Sequence, residues 1–569
     1  MKGRYLVCAG LSVSMCWAAA LVLTLAVRGA AADGVGDDSC RRPASTAAPT
    51  TPGCEPISAT DLAARIDAAF AADWQTAGIA PAAPTSDAEF MRRVYLDITG
   101  KIPPVAEARA FLDDTAADKR SRLVDDLLSR GSFAAHFANV WRELLIPGTN
   151  TNPETRALAP AFEAWLKVRF AANVPYDALV SELLTVRLTT PTAQPVVGRR
   201  ATLAPSPAAF FQVNENKPEN LAANSSRIFL GLQVQCAQCH DHPFSHWRRH
   251  EFWGLAAFFG GLQPPMAPVA DETAPPTTAP AKPVGALSIQ IPETDVVVEA
   301  KFLDGSPPQL RPGEDARLTL SRWLTSRDNP FFAKAAVNRL MDLFFGHAFV
   351  DPVDDLDERH PPTHPELFRE MTAQFACHRY DLKYLVRAIT ATRAYQLSSR
   401  TDGESLDGNA RDQVDRFARM PLKRLSAEQL YDCLVEATAF RDAAPQQPQN
   451  PFSDDSMRGQ FLARFADDSA RRSEAQTSIL QALSLMNGSF TGTATNGDRG
   501  QLISAVAELP FLDAAGRIET LYLATLSRRP EPTEVAKLLE YVRQAPSEQD
   551  ALADIFWALL NSAEFVFNH

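Results

Sequence analysis

The sequence predicts a mainly α-helical protein with two helical domains and a small β element near their junction. Three patterns support this fold class. Apolar residues recur at helical spacing behind capping residues, a Pro- and Thr-rich insert divides the chain, and short strand-like runs follow that insert. The chain of 569 residues also exceeds what a single hydrophobic core usually supports. We therefore expect two or more domains.

Capping residues mark the helices of the first half. Ser86 and Glu89 form a capping box ahead of an apolar stripe that ends at Gly100. We expect Asp97, within this helix, to be solvated. Further helices are predicted to begin near Thr115 and after Ser132, because apolar stripes follow both positions.

A helix over residues 218–235 is predicted next, with its C-terminal end at Cys236. Many aromatic residues follow Cys236. Aromatic residues at helical spacing belong more often to a hydrophobic core than to the wall of a cofactor site. The aromatic residues are Phe244, Trp247, Phe252, Trp253, Phe258 and Phe259.

In the second half, the runs LSIQI and DVVVEA predict two short strands, and helices then resume. Asn329 followed by Pro330 indicates one helix start. The remaining predicted starts are a capping box at Thr363 and Glu366, Asp381, and a capping box at Ser426 and Gln429. A last helix is predicted over residues 555–567.

The N-terminus has the order of a secretory signal. Lys2 and Arg4 precede an apolar run over residues 5–27, and small residues follow it. The run approaches membrane-spanning length, so an uncleaved anchor is the alternative. We expect export to the periplasm or cell envelope. The predicted segments are 1–32 (signal peptide or N-terminal anchor), 33–57 (flexible Pro/Thr-rich tether), 58–262 (first helical domain), 263–295 (low-complexity insert) and 296–569 (second helical domain).

The charge balance argues against a nucleic-acid partner. The formal net charge is -12 and the isoelectric point is near 5.4, and no cluster of Lys and Arg is present that would bind phosphates. The membrane is expected as a partner only through the N-terminal segment, if that segment is retained.

The most informative motif is C-x-x-C-H, formed by Cys236, Cys239 and His240. Two thiols at this spacing can form thioethers to both vinyl groups of haem, and the next imidazole can ligate the iron. The motif therefore predicts covalently bound haem c and a redox role.

Two other hypotheses fit the same residues. Cys236, Cys239, His240 and His242 could hold zinc or iron, either as a structural clamp or as an open, hydrolytic site. Alternatively, the two cysteines form a disulfide in a cell-envelope interaction scaffold. Whether the protein is an enzyme stays open at this stage.

The other cysteines have simpler interpretations. Cys40 and Cys54 lie in the predicted tether and could close one small loop by a disulfide. Cys377 and Cys433 each lie in helical sequence, where a small buried side chain is the ordinary role.

Long segments resemble a known family. They include RRVYLDITGKIPP at 92–104, KPENLAANSSRIFLG at 217–231, CAQCHDHPF at 236–244, the stretch 324–356 and PTHPEL at 362–367. Together they resemble secreted, cytochrome-c-like proteins of planctomycete type, in which two domains of unknown function (families 1549 and 1553) occur in tandem. The resemblance covers residues from about 58 to 569 and implies haem at the C-x-x-C-H motif. Longer relatives carry an additional N-terminal cytochrome-like domain with its own haem motif; we expect this chain to be without it, so the resemblance implies a separate protein as electron-transfer partner.

A second haem ligand cannot be chosen from the sequence. The conceivable ligands for the opposite face are Met266, His347, His360, His364 and His378. His360 and His364 also belong to an acidic stretch with Asp351, Asp354, Asp355 and Asp357, which could supply carboxylate ligands or a general base. The simpler interpretation, which we favour, is a solvated loop that ends where Thr363 caps a helix.

Overall fold

Helices dominate the structure, a computed structural model, and the predicted mainly α-helical class is confirmed. The structure describes residues 55–188, 204–262, 287–311, 313–400, 409–440, 456–466, 479–488, 492, 495 and 500–569. The predicted signal segment and most of the predicted tether and low-complexity insert lie outside these ranges. In the described part, no helix combines the length and apolar character needed to cross a bilayer.

The first group of helices precedes residue 260. It comprises α1 (Ala59–Ala77), α2 (Asp87–Thr99), α3 (Val105–Asp113), α4 (Lys119–Ser129), α5 (Gly131–Leu145), α6 (Pro153–Ala171), α7 (Tyr176–Leu184), α8 (Ala209–Val213), α9 (Pro218–Ser225) and α10 (Arg249–Ala256). A π-helical turn (Ser226–Leu230) and two 3-10 turns (Gln235–Gln238 and Ala257–Phe259) belong to the same group.

The second group follows a small antiparallel sheet. The two strands β1 (Ser288–Gln290) and β2 (Val297–Glu299) pair with Ile289 opposite Val298, as the sequence predicts. The helices are α11 (Ala316–Leu324), α12 (Phe332–Phe345), α13 (Pro365–Cys377), α14 (Leu382–Ala391), α15 (Asn409–Asp415), α16 (Ala427–Thr438), α17 (Met457–Phe465), α18 (Ile479–Asn487), α19 (Gln501–Glu508), α20 (Ala514–Leu526), α21 (Pro532–Gln544), α22 (Glu548–Leu560) and α23 (Ala563–Val566). The strands β3 (Lys423–Arg424) and β4 (Phe567–Asn568) form a second antiparallel pair.

Two hydrophobic clusters make up the core, and both lie within one compact unit, Gly53–His569. The larger cluster draws almost all of its residues from positions 62–420. The smaller one draws on positions 425–565 and also includes Leu96 and Ile102 from the N-terminal part. The segment from α2 to the start of α3 therefore contributes to both clusters. The predicted domain boundaries at 262 and 296 stay predictions.

Helix α2 is buried on nearly all sides, and its charged residues are paired inside the protein. Asp97 is 5% exposed, and it accepts hydrogen bonds from Lys423 Nζ (2.8 Å), Tyr395 OH (2.7 Å) and Asn568 Nδ2 (2.7 Å). Arg93 pairs with Glu89 one turn earlier at 2.9 Å. The expectation of a solvated Asp97 is wrong, because three distant segments supply donors to its carboxylate.

Several predicted helix starts are confirmed by their caps. The Oγ of Ser86 accepts from Glu89 N, and Gly100 ends α2 with a φ of 75°. Ser426 and Gln429 form a reciprocal capping box at the start of α16. Asp381 caps α14. Asn329 Oδ1 accepts from Phe331 N and Phe332 N, but α12 begins at Phe332 with Phe331 at its N-cap position, so the predicted start at Asn329 and Pro330 is early.

Other predicted boundaries are wrong. Thr363 does not cap α13, because that helix begins at Pro365 behind His364. The predicted helix over residues 218–235 ends early: α9 passes into the π-helical turn and stops at Gly231, which has a φ of 66°. Cys236 therefore lies on a separate 3-10 turn rather than at the end of a long helix.

Candidate functional site

The C-x-x-C-H motif lies on a short surface turn, which we call the motif turn (residues 235–242). Its Ala237 is fully buried, whereas Cys236, Cys239 and His240 are exposed. Both cysteines are free thiols. The turn is thus anchored through its apolar residue, and it presents two thiols and an imidazole to solvent.

Helix α10 holds the motif turn in place. Trp253 Nε1 donates to Gln238 O at 2.9 Å, and Arg249 N donates to Asp241 Oδ1 at 2.9 Å. The backbone N–H of His242 donates to Trp247 O at 2.8 Å. These contacts fix the backbone on both sides of Cys239, so the spacing of the three motif side chains is set by the fold.

The imidazole of His240 has a defined partner on one nitrogen. Its Nδ1 lies 2.7 Å from Asp241 O, and a carbonyl oxygen can only accept, so Nδ1 carries the proton. The lone pair of the neutral ring is then on Nε2. A metal-ligating histidine commonly has this arrangement, with one ring nitrogen donating to a carbonyl and the other facing the metal.

A second segment, which we call the acidic loop (residues 351–360), packs against the turn that precedes the motif. Leu356 N donates to Gly231 O at 2.7 Å. A side chain at Gly231 would place its Cβ 2.8 Å from the Leu356 side chain, so glycine is needed there for space as well as for its positive φ. The acidic loop is therefore joined to the chain at Gly231, four residues before the motif turn begins.

Further polar contacts fix the acidic loop. Arg227 Nη1 donates to Asp354 Oδ2 at 2.8 Å, and Arg339 forms an ion pair with the same carboxylate. The amide of Asn338, which is fully buried, donates to Val350 O and Val353 O. Sequence reasoning did not identify these arginines or this asparagine as positioning residues, since none belongs to a recognisable motif.

Three ligand-type side chains of the acidic loop converge. The candidate ligand atoms of Asp355, Asp357 and His360 all lie within 4.8 Å of one another. His360 Nδ1 is 3.4 Å from Asp355 Oδ2 and 3.2 Å from Asp357 Oδ1. Arg359 Nε donates to Asp357 Oδ2 at 2.6 Å. The favoured interpretation of a solvated loop is wrong for Asp355, which is 7% exposed.

The charges of the acidic loop act on one another. Burial and the neighbouring carboxylate of Asp357 raise the pKa of Asp355 above its usual value. Burial also opposes ionisation of Asp357, but the hydrogen bonds and the charge of Arg359 outweigh it and lower the pKa of that carboxyl. The guanidinium of Arg359 therefore compensates the charge of Asp357 better than that of Asp355.

His242 connects the motif turn with the acidic loop electrostatically. Burial and the positive charge of Arg359 lower its pKa, while Asp355 and Asp357 act in the opposite direction. The interaction shows that the imidazole lies within range of both carboxylates. His242 is therefore a candidate ligand of the first half on which the acidic residues of the second half act.

Two family models match the chain in tandem. The first, "Protein of unknown function (DUF1549)", matches residues 65–263, and the second, "Protein of unknown function (DUF1553)", matches residues 316–542. The chain belongs to the proteins that carry these two domains in this order. The motif turn lies in the DUF1549 region and the acidic loop in the DUF1553 region. No curated protein and no solved structure is significantly similar to the chain.

Whether the DUF1549 region suits haem can be judged from its side chains. The attachment chemistry fits, because the two thiols are free, exposed and followed by an imidazole. The aromatic residues after the motif are in the core, as expected, with Trp247, Phe252, Trp253, Phe258 and Phe259 all at most 4% exposed. Phe244 differs, at 74% exposed. Of the aromatic residues named after the motif, Phe244 alone is therefore on the surface, and the others form core rather than an exposed aromatic wall.

The conceivable ligands for the opposite haem face lie in different places. His364 packs against the ring of Phe70, with 5.1 Å between ring centroids. His378 stacks on Tyr384 and lies 2.8 Å from Ile57 O through Nε2. The ring of His347 lies 5.3 Å from that of Phe417. His360 belongs to the acidic loop, next to the carboxylates that act on His242, and Met266 lies outside the described residues.

The remaining cysteines differ from one another. Cys433 is a free, fully buried thiol, as expected, and burial raises its pKa to about 12. Cys377 is disulfide-bonded, so the expected role as a plain buried thiol is wrong. Cys40 and Cys54 lie outside the described residues, and the disulfide predicted between them is untested.

A separate cleft has no motif-turn residue in its walls. It has a volume of about 640 Å³ and lies between α2, α5, α12 and α16. Glu428 lies at its wall and pairs with Arg142 at 2.8 Å. Neither the motif residues nor the acidic loop line this cleft.

Proposed function

We propose that this chain is an exported redox protein that carries haem covalently on Cys236 and Cys239, with His240 as an axial ligand of the iron. The observation that supports the proposal is the presence of two free, exposed thiols and a following imidazole on one turn. The described backbone contacts hold this turn from α10. The spacing is the one that covalent haem attachment requires.

Haem attachment needs the thiols in their reduced form. Each S–H group adds across one vinyl group, with sulfur bonding to one carbon and the proton going to the other, so no oxidant or reductant is consumed. The bound group supplies an iron centre that takes up or releases one electron. The protein contributes the two sulfurs, and it fixes the tautomer of His240 through Asp241 O at 2.7 Å.

Export would bring the reduced turn to the compartment where haem is attached. The N-terminal order of basic, apolar and small residues supports export. The disulfide at Cys377 supports it independently, because structural disulfides persist in oxidising compartments such as the periplasm. We place the protein in the periplasm or cell envelope, with a separate protein as electron partner.

A second candidate function is a Cys/His metal centre without porphyrin. Cys236, Cys239, His240 and His242 are its ligands in this alternative. The specific observation in its favour is polarity: His242 lies within electrostatic range of Asp355 and Asp357, and Phe244 is the one exposed aromatic residue among those named after the motif. Such surroundings suit a metal ion more than an apolar ring.

One set of measurements separates the two candidates. The chain is expressed with and without cytochrome maturation factors, and its visible spectrum and metal content are recorded. Haem predicts a Soret band that requires maturation and disappears in Cys236→Ala, while the control Cys433→Ala keeps the band. One equivalent of zinc or iron without a Soret band, lost in Cys236→Ala, would favour the second candidate, because metal held only by the acidic loop would be retained in that variant. Absence of both would contradict both proposals and leave the scaffold hypothesis.

A further inference from the structure

We propose that Asp355, Asp357 and His360 form a binding site for a zinc-like divalent cation, separate from the thiols of the motif turn. The inference goes beyond the proposed haem function and does not depend on it. Its donor set consists of two carboxylates and one imidazole, which suits a borderline transition metal ion. All three residues belong to the acidic loop.

The distances between the donors match the edges of a metal coordination shell. Metal–ligand bonds of about 2.0–2.1 Å at tetrahedral angles place neighbouring ligand atoms about 3.3 Å apart. His360 Nδ1 lies 3.4 Å from Asp355 Oδ2 and 3.2 Å from Asp357 Oδ1. Two of the three donor–donor distances are thus those of a tetrahedral shell, and all three donor atoms lie within 4.8 Å of one another.

The imidazole faces the carboxylates without a hydrogen bond. His360 Nδ1 is buried, and it has no hydrogen-bond partner among the described residues although two carboxylate oxygens are nearby. A buried ring nitrogen is normally paired, because leaving it unpaired costs free energy. A cation between the three donors would satisfy this nitrogen and place positive charge beside Asp355.

Asp355 is also poorly compensated for its burial, whereas Arg359 binds Asp357 closely. Asp355 is 7% exposed, and its cationic contact with Arg359 is long, at 3.4 Å. The side chain of Asp357 is 5% exposed, while that of Arg359 is 39% exposed. Two adjacent buried carboxylates need positive charge close by. Arg359, at the surface, supplies part of it and can move outward when a cation binds.

The loop is held in the binding geometry by contacts outside the donor set. Leu356 N is bonded to Gly231 O, and Asp354 is held by two arginines. His360 N donates to Asp357 O at 3.1 Å, which sets the two ligands on one turn. Three protein ligands leave at least one coordination position for water or a small ligand. The site therefore has the form of an open rather than a closed metal centre.

The test uses the full chain with Cys236→Ser and Cys239→Ser, so that thiol ligands cannot contribute. After chelator treatment and desalting, Zn²⁺ is titrated by calorimetry, and the retained metal is measured by mass spectrometry. We expect one equivalent of Zn²⁺, with binding weakened at least about 100-fold in His360→Gln, a larger loss than outer partners typically cause. Glu358→Gln, an exposed position of the same loop, is the matched control and should bind as the parent does.

Two results would overturn the site. One is the absence of stoichiometric Zn²⁺ binding in the cysteine-free parent, and the other is equal binding by the parent and His360→Gln. Far-UV circular dichroism checks that the variants fold. If His360→Gln does not fold, Asp357→Asn provides a second variant of a proposed ligand. Haem attachment is scored separately on the chain with its cysteines, so failure of either proposal leaves the other measurable.

Discussion

The buried carboxylate of Asp97 should be among the most sensitive positions in the chain. It accepts hydrogen bonds from Lys423, Tyr395 and Asn568 at 2.7–2.8 Å. In Asp97→Ala, the ammonium group of Lys423, on a side chain only 5% exposed, loses its counter-ion and keeps backbone carbonyls as partners. Leaving one partner of a buried ion pair uncompensated costs about 3–5 kcal/mol, and we expect a loss of unfolding free energy of that size.

A double variant separates the charge from the shape of the site. Asp97→Ala combined with Lys423→Met removes both charges. The double variant should lose only about 1–3 kcal/mol of unfolding free energy relative to the parent, because Tyr395 and Asn568 are left without an acceptor. Asp113→Ala is the surface control, because its ion pair with Arg529 is about half exposed; we expect it to cost about 1 kcal/mol or less.

Urea unfolding followed by both tryptophan fluorescence and far-UV circular dichroism measures these differences, and coincident transitions justify two-state treatment. The reasoning would be refuted if Asp97→Ala lost no more than the surface control. It would also be refuted if the double variant were less stable than Asp97→Ala alone.

Two further predictions concern backbone space and pH. Gly231→Ala should lower the free energy of unfolding by about 1–3 kcal/mol, because φ is 66° and the added Cβ would lie 2.8 Å from the Leu356 side chain. Gly313→Ala is the control: φ is 78° but the added Cβ would meet no atom within 4 Å, so the loss should be only about 1 kcal/mol. Urea midpoints of both variants test this, and equal losses would argue against the contact. Burial and the charge of Arg92 lower the pKa of His569 to about 4. Because the unfolded chain binds this proton near pH 6.5, stability should fall by at most about 3 kcal/mol as the pH drops from 6.5 to 4. His569→Gln should flatten that dependence, and an unchanged pH profile would contradict the assignment.

Local helix signals were readable from the sequence where side chains cap their own helix. Ser86, Asp381 and Ser426 are examples, because each cap depends on residues two or three positions away. The π-helical turn before Gly231 was not predictable in this way. It coincides with the packing of Gly231 against Leu356, a contact that becomes visible only once the chain is folded.

The burial of polar residues was the least predictable property. Asp97 has the spacing of a solvated position, yet its three partners come from segments around residues 395, 423 and 568. The same reason applies to the candidate site. The motif turn was identified from its own spacing, whereas the packing of the acidic loop on Gly231, just before that turn, is a contact between the two family regions. No local pattern encodes such a contact.

The most direct test of the haem proposal is the intact mass of the denatured chain, produced in a host that matures c-type cytochromes. Thioether-linked haem survives denaturation, whereas a coordinated metal ion is released. We predict a mass increase of one haem per chain, lost in Cys236→Ala and retained in Cys433→Ala. An unmodified mass from such a host would contradict covalent attachment at Cys236 and Cys239.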